Sequence, residues 1–217
     1  MSEFDRDDLN RVRRLAKRAT YDRETVYGIF DAAPICHVAF VQDEQPVVIP
    51  TIHGRIGDQV FLHGAVASRL LKHVAAGHPL SITATLVDGL VLARSLFHHS
   101  MNYRSVVLFG RGRAVTEDAD KLRALEAITE RLIPGRWNDA RQPNAGELKA
   151  TAVAAVEIDL ASAKVRTGPP TDEPEDLTLP HWAGVIPLAL QPGAPAPAHD
   201  AATGPALPQY LKELRLG

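Results

Sequence analysis

Cysteine is nearly absent: Cys36 is the one example in 217 residues. An intrachain disulfide is therefore excluded, and so is a zinc site built on thiolates. An excess of one charge is missing as well, since 24 Lys and Arg stand against 26 Asp and Glu for a formal net charge of -2. Neither a nucleic-acid binder working by bulk charge nor an acidic disordered chain has that balance. No apolar run approaches membrane-spanning length, and the start, MSEFDRDDLNRVRR, is charged throughout. Neither a signal peptide nor a membrane helix is expected, which makes a reducing cytoplasm the default compartment. Catalytic signatures are missing too. No Gly-x-Gly-x-x-Gly opens a helix, no Gly-x-Ser-x-Gly elbow occurs, and no helix carries His-x-x-x-His. These absences disfavour a Rossmann dinucleotide site, a hydrolase of the elbow type and a metal or haem held by the nine histidines.

Apolar residues make up 45% of the chain, enough for a substantial core in one domain with tails. Residues 1–20 form a basic arm with Arg11, Arg13, Arg14, Lys17 and Arg18. It reads as a solvated segment or a phosphate-binding arm, and the lack of interleaved aromatics favours the former. The domain proper is expected over 21–188. Asp22 caps a short helix with Val26, Ile29 and Phe30 on one face, ended by Pro34. A β meander follows: ICHVAFV, a turn at Gln42–Gln45, PVVIPTIH broken or bent at Pro50, which puts the strand at an edge or on a bulge where Thr51 and His53 emerge, and Val60 to His63. Ser68 caps a helix carrying Leu70, Leu71 and Val74, which Gly77 and Pro79 stop. LSITATLV and LVLARSLF read as two strands joined by a tight turn at Asp88-Gly89. Glu117 to Leu132 is an amphipathic helix, 136–147 a polar loop, and TAVAAVEIDL the last good strand. HWAGVIPL is a short apolar anchor, and the Ala/Pro/Gly-rich tail, 189–217, an extended or poorly ordered strap closed by a short helix in YLKELRL. Six or seven strands joined mostly by hairpins, with few peripheral helices, predict a mainly β protein: a small antiparallel barrel with helical additions.

The chain is organised around Leu92 to Val115, LARSLFHHSMNYRSVVLFGRGRAV. A strand ending near Phe97 leads into a polar corner, His98 to Asn102, and a second strand starts at Tyr103. So many donors between apolar strands need acceptors, from solvent or from a ligand. The junction at Ser68 and Arg69 suits an anion, because free N–H groups at a helix start and an arginine fork converge there; a capped surface helix is the alternative. Lys164 and Arg166 alternate along an extended piece and so point to one side. Together with Thr51, His53, His63, Tyr103, Arg104 and Ser105, these donors suit a phosphorylated, planar ligand with polar edges.

The strings ICHVAFV, PVVIPTIHG, VFLHGAVASRLL, DGLVLARSLFHHSMNYRSVVLFGRGRAV and KVRTGPP resemble the FMN-binding split-barrel proteins of the pyridoxamine 5'-phosphate oxidase-like superfamily, over about residues 20 to 188. They are most similar to its branch of nitroimidazole-resistance and flavin-nucleotide-binding proteins. The resemblance implies a split β-barrel and a homodimer with FMN in grooves at the subunit interface. It also implies that Ser68 and Arg69 hold the phosphate and that Thr51 and His63 lie along the ribityl chain and ring edge, with His53 among the cofactor-binding residues. Tyr103, Arg104 and Ser105 would follow the flavin, and Arg166 and Trp182 would reach it from the partner subunit. The chain departs from the vitamin B6 oxidases at Leu70, where they often have lysine, and at its close, LRLG. An FMN-dependent oxidoreductase taking hydride from reduced nicotinamide is the first expectation. A flavin carrier or sensor without turnover is the second, and a haem- or deazaflavin-binding split barrel the third. His98, His99 and Tyr103 are candidates for protonating a substrate, or equally structural donors.

Overall fold

The computed structural model describes residues 2–198 and 206–216. Its strands are β1 (Ala19–Thr20), β2 (Cys36–Gln42), β3 (Gln45–Thr51), β4 (Gly54–Ile56), β5 (Gln59–Ala65), β6 (Pro79–Leu92), β7 (Ser100–Val115), β8 (Thr151–Glu157), β9 (Leu160–Arg166) and β10 (Gly184–Pro187). Its helices are α1 (Arg23–Ala32), α2 (Arg69–Ala75), α3 (Asp118–Leu132), α4 (Ala145–Ala150) and α5 (Gln209–Lys212). Strands outnumber the six or seven expected because β1, β4 and β10, of 2, 3 and 4 residues, are too short to leave a pattern in the sequence. All strand pairs described are antiparallel. No helix among the described residues is long and apolar enough to cross a membrane. The chain divides into two compact units, Met1–Thr51 with Pro79–Gly110 and Ile158–Ala189, and Ile52–His78 with Arg111–Glu157 and Leu190–Gly217.

In the first unit the Asp22 carboxylate accepts from the Thr25 backbone N–H at 2.9 Å and its hydroxyl at 2.8 Å, which starts α1. Val26, Ile29 and Phe30 are buried on the face turned to β6 and β9. Each such side chain contributes roughly 1.5–3 kcal/mol through the apolar area removed from water. Asp43 and Glu44 adopt positive φ (49° and 61°), the twist a two-residue hairpin needs between β2 and β3. The ladder runs unbroken past His37↔Pro50 to Cys36↔Thr51, so Pro50 does not bend the strand. Among the described residues β3 pairs with β2 alone, and on an edge a missing N–H leaves no bond unmade.

The expected turn at Asp88-Gly89 is absent. β6 runs straight through it for 14 residues, and β7 starts at Ser100 rather than Tyr103. Two tertiary contacts override the local turn signal. Arg104 grips Asp88 with a fork at 2.7 and 3.0 Å, and Gly89 pairs with Pro187 of β10. A Cβ on Gly89 would come 3.0 Å from the Ile186 carbonyl oxygen, so the glycine serves a close approach, not a turn. The N-terminal segment is pinned at two points, while Arg11, Arg13, Arg14 and Lys17 of its basic cluster are exposed, as the solvated reading expects. Phe4 and Asn10 are buried, the Phe4 N–H donates to Tyr21 at 2.9 Å, and the Asn10 amide donates to the Ala161 carbonyl at 3.1 Å.

In the second unit β8 pairs with β5 on one side and with Gly112–Val115 of β7 on the other. Phe61, Val115, Ala124, Ile128, Val153 and Ala155 form a buried cluster roofed by α3. Gly112 is needed under α2: a Cβ there would lie 2.2 Å from Val74 Cγ1 and 2.9 Å from the Ala155 carbonyl oxygen. Within the expected loop 136–147, Asn144 and Glu147 close a capping box that opens α4. The strand after it is not the last, since β9 and β10 follow. Of the Pro/Ala-rich tail, residues 199–205 lie outside those described. Near its end Tyr210 on α5 donates to Asp139 at 2.7 Å and lies against Gly135.

Candidate functional site

The turn between β5 and α2 places His63, Ser68 and Arg69. β5 is held by its register with β8, His63↔Val153 to Ala65↔Thr151. The chain then turns, the Ser68 N–H donating to the Ala65 carbonyl at 2.9 Å. The Ser68 hydroxyl oxygen accepts from the Leu71 N–H at 3.4 Å and caps α2, leaving its own proton to donate elsewhere. A Cβ on Gly64 would lie 3.9 Å from that of Ser68, so the strand end and the helix start adjoin. Arg69 is exposed, with no hydrogen bond or ion pair among the described residues. His63 is half-buried. Burial holds its imidazole below the usual histidine range, and its Nδ1 is enclosed without a hydrogen-bond partner. An enclosed imidazole nitrogen without a partner and an exposed guanidinium without one are features that a ligand's polar groups can satisfy. α2 spans 7 residues, too few for a strong dipole, so any pull on an anion at this turn rests with the side chains. In the same unit His53 is wholly buried, its carbonyl accepting from Arg131 Nε at 2.6 Å. It does not emerge at a strand end as expected, because β3 stops at Thr51 and the chain passes into the second unit's interior.

The first unit holds Thr51, Tyr103, Arg104, Ser105, Arg166 and Trp182. Tyr103↔Arg166 and Ser105↔Lys164 are opposed on β7 and β9, so register brings these four together. Thr51 ends the edge strand, away from them in the ladder. Arg104 is turned onto Asp88, which raises its pKa through the hydrogen bond and leaves the fork engaged. Arg166 donates to the Asn102 side-chain oxygen and to the carbonyls of Gly168 and Pro169 at 3.2 and 3.1 Å. Burial and the neighbouring Arg18 lower its pKa, with Tyr103 opposing them, and a guanidinium remains charged throughout. Trp182 is 65% exposed, so it anchors nothing through burial.

The polar corner finds its acceptors inside the chain. Asp172 takes the Arg94 N–H and guanidinium, each at 2.7 Å, and Glu173 faces His98 Nε2 at 3.3 Å. Ala93 accepts from His99 Nε2 at 3.2 Å. Asp172 and Glu173, in the acidic stretch that follows β9, thus form a strap for the corner. Sequence reasoning missed Arg94, Asp172 and Asn102 as organising residues. The one signal was an acidic run matched to a donor-rich corner, and nothing local links the two.

A model of the family described as pyridoxamine 5'-phosphate oxidase matches residues 22–165. Among solved structures the chain is similar to the flavocytochrome Anf3 from Azotobacter vinelandii, at 42% identity and a TM-score of 0.90, covering 97% of this chain and 98% of that one. It is similar too to the FAD and haem binding protein from Mycobacterium smegmatis, at 39% identity and a TM-score of 0.86, covering 91% of this chain and 97% of that one. A candidate 5-nitroimidazole antibiotic resistance protein from Bacteroides thetaiotaomicron shares 22% identity at a TM-score of 0.56, covering 68% and 86%, a likeness of fold alone. No curated protein matches the sequence. The fold is the mainly antiparallel split barrel with peripheral helices that the sequence predicts.

Proposed function

Because this chain belongs to the pyridoxamine 5'-phosphate oxidase family, we propose that it is a redox protein binding both a flavin nucleotide and a haem. The observation that carries this reading is the likeness, over nearly the whole chain, to one flavocytochrome and one FAD and haem binder. It moves haem from the least expected cofactor to a central one. It also favours FAD over the FMN named from sequence, since the Mycobacterium smegmatis protein is described by FAD.

The residues at the β5–α2 turn fit a flavin nucleotide. Ser68 and Arg69 offer an O–H and a guanidinium to phosphate oxygen, and His63 offers a neutral ring whose Nδ1 lacks a partner. Roles for Thr51, Tyr103, Ser105 and Arg166 are proposed on the family resemblance. Arg104 is proposed to act through Asp88, holding β6 to β7, and His53 is left out because its ring is enclosed. Flavin exchanges hydride or single electrons and haem single electrons, so the pair would let a two-electron donor such as reduced nicotinamide serve a one-electron acceptor. The homodimer is proposed on the same resemblance.

Absorbance of the purified protein tests the reading. A flavin spectrum with a Soret band is expected, with FAD rather than FMN released on acid treatment and bleaching on anaerobic mixing with NADPH. Flavin alone that bleaches would restore the simpler oxidoreductase, and flavin that stays oxidised would favour a carrier or sensor. A mass near twice that of the chain is expected in solution.

A further inference from the structure

The first unit also holds a groove of about 370 Å³, open to solvent and within the size range of small-molecule and cofactor sites. Leu92, Ala93 and Leu96 give it an apolar wall where β6 ends and the chain turns. Trp182, on the approach to β10, gives it an aromatic one. The indole lies across Gly184, where a Cβ would come 2.8 Å from its ring, so a residue without a side chain lets it lie close to the backbone. Leu96 is 82% exposed and Trp182 65%, surface the chain itself does not cover.

Three polar side chains line the same groove, and each has a valence to spare. His99 gives its Nε2 proton to the Ala93 carbonyl, which fixes the tautomer and leaves the Nδ1 lone pair unengaged. His181 is exposed, with neither ring nitrogen partnered among the described residues. Arg94, held by Asp172 through other donors, keeps a buried Nε–H with no acceptor. Apolar walls suit a flat macrocycle, imidazoles an iron, and an arginine N–H a carboxylate on the ring's edge.

We propose that this groove is the haem seat, where the imidazoles of His181 and His99 would hold the iron and Arg94 would meet a carboxylate on the ring's edge. The inference rests on the haem half of the function proposed above. It commits to residues that the family resemblance placed elsewhere or left unassigned.

Haemin titration of the full-length protein, followed by the Soret band, tests it. His181→Ala should weaken haemin binding at least tenfold and shift the band, and added imidazole should restore the wild-type position. Trp182→Ala should weaken binding several-fold with the band unmoved. His78→Ala, in the other unit, is the control and should match wild type. Flavin content and the thermal midpoint should stay as in wild type for His181→Ala, because that side chain is exposed. A wild-type protein that takes haemin while His181→Ala and the His181→Ala/His99→Ala double variant give the wild-type spectrum would overturn the seat and leave the cofactor reading standing. A wild-type protein that holds flavin but no haem overturns both. If Trp182→Ala splits a dimer while haemin binding is untouched, the groove belongs to a second copy of the chain and the proposal fails.

Discussion

Arg104 and Arg166 in the first unit and Arg69 in the second read alike in the sequence, each a cation near a strand end. The structure separates them. The first two have their forks engaged, on Asp88 and on Asn102 with two carbonyls, whereas Arg69 has no partner among the described residues. An anion arriving at an engaged fork must first displace the acceptors already there, so part of what it gains is lost with them. At a free one it gains a charge-assisted contact outright. A cation's chemistry marks a ligand site less well than its lack of a partner does.

The sharpest test of that contrast is Arg69→Ala. It should weaken flavin binding by roughly 2–3 kcal/mol while changing folding stability by no more than about 0.5 kcal/mol. Flavin titration and urea unfolding measure the two quantities, and a stability loss as large as the binding loss would erase the distinction. Arg166→Ala should do the reverse. Freeing Asn102 and two carbonyls should lower stability by about 1–2 kcal/mol, a figure discounted for the part of the side chain that water already reaches. Should its main effect fall on flavin affinity, Arg166 belongs with Arg69. Asp88→Asn should remove only about 0.5–1 kcal/mol, since the pair it breaks is partly exposed; the shift in urea midpoint reads it.

The smallest effect lies in a second-unit arginine that is engaged. Arg141 and the Asn144 N–H hold the Glu147 carboxyl well below its ordinary value, down to about 2. A depressed carboxylate stabilises the fold above its unfolded pKa. Its contribution is therefore present above about 4.5 and lost as the pH falls toward 2. An NMR titration should place the Glu147 midpoint near 2, and Arg141→Ala should move it up toward the ordinary range.

Much of the fold was legible because its signals are local. Asp22, Ser68 and Asn144 each accept from an N–H three residues on, but Asn144 went unread because no apolar periodicity follows it. At Pro50 the edge position that a proline allows is met and the bend is not, because only the pairing of β3 tells an edge from a bulge. Asp88-Gly89 failed for the same kind of reason. A dipeptide that favours a turn is kept straight by Arg104 and by β10, both remote in sequence. At the candidate site the Ser68-Arg69 junction could be read, since strand, turn and helix are contiguous. The enclosure of His53 and the engagement of Arg104 could not, because both depend on what folds against them.

The sequence by itself determined the class of the molecule: caps, hairpin residues and alternating strands settle an antiparallel β protein with helices at its margin, since each acts over a handful of neighbours. Tertiary structure decided which polar groups were left over. Hydrogen-bonding capacity is a property of each residue, but whether it is met depends on partners the chain brings from far away. Asp172 reaching Arg94, and His181 lining one groove with His99, exist only once the chain has folded.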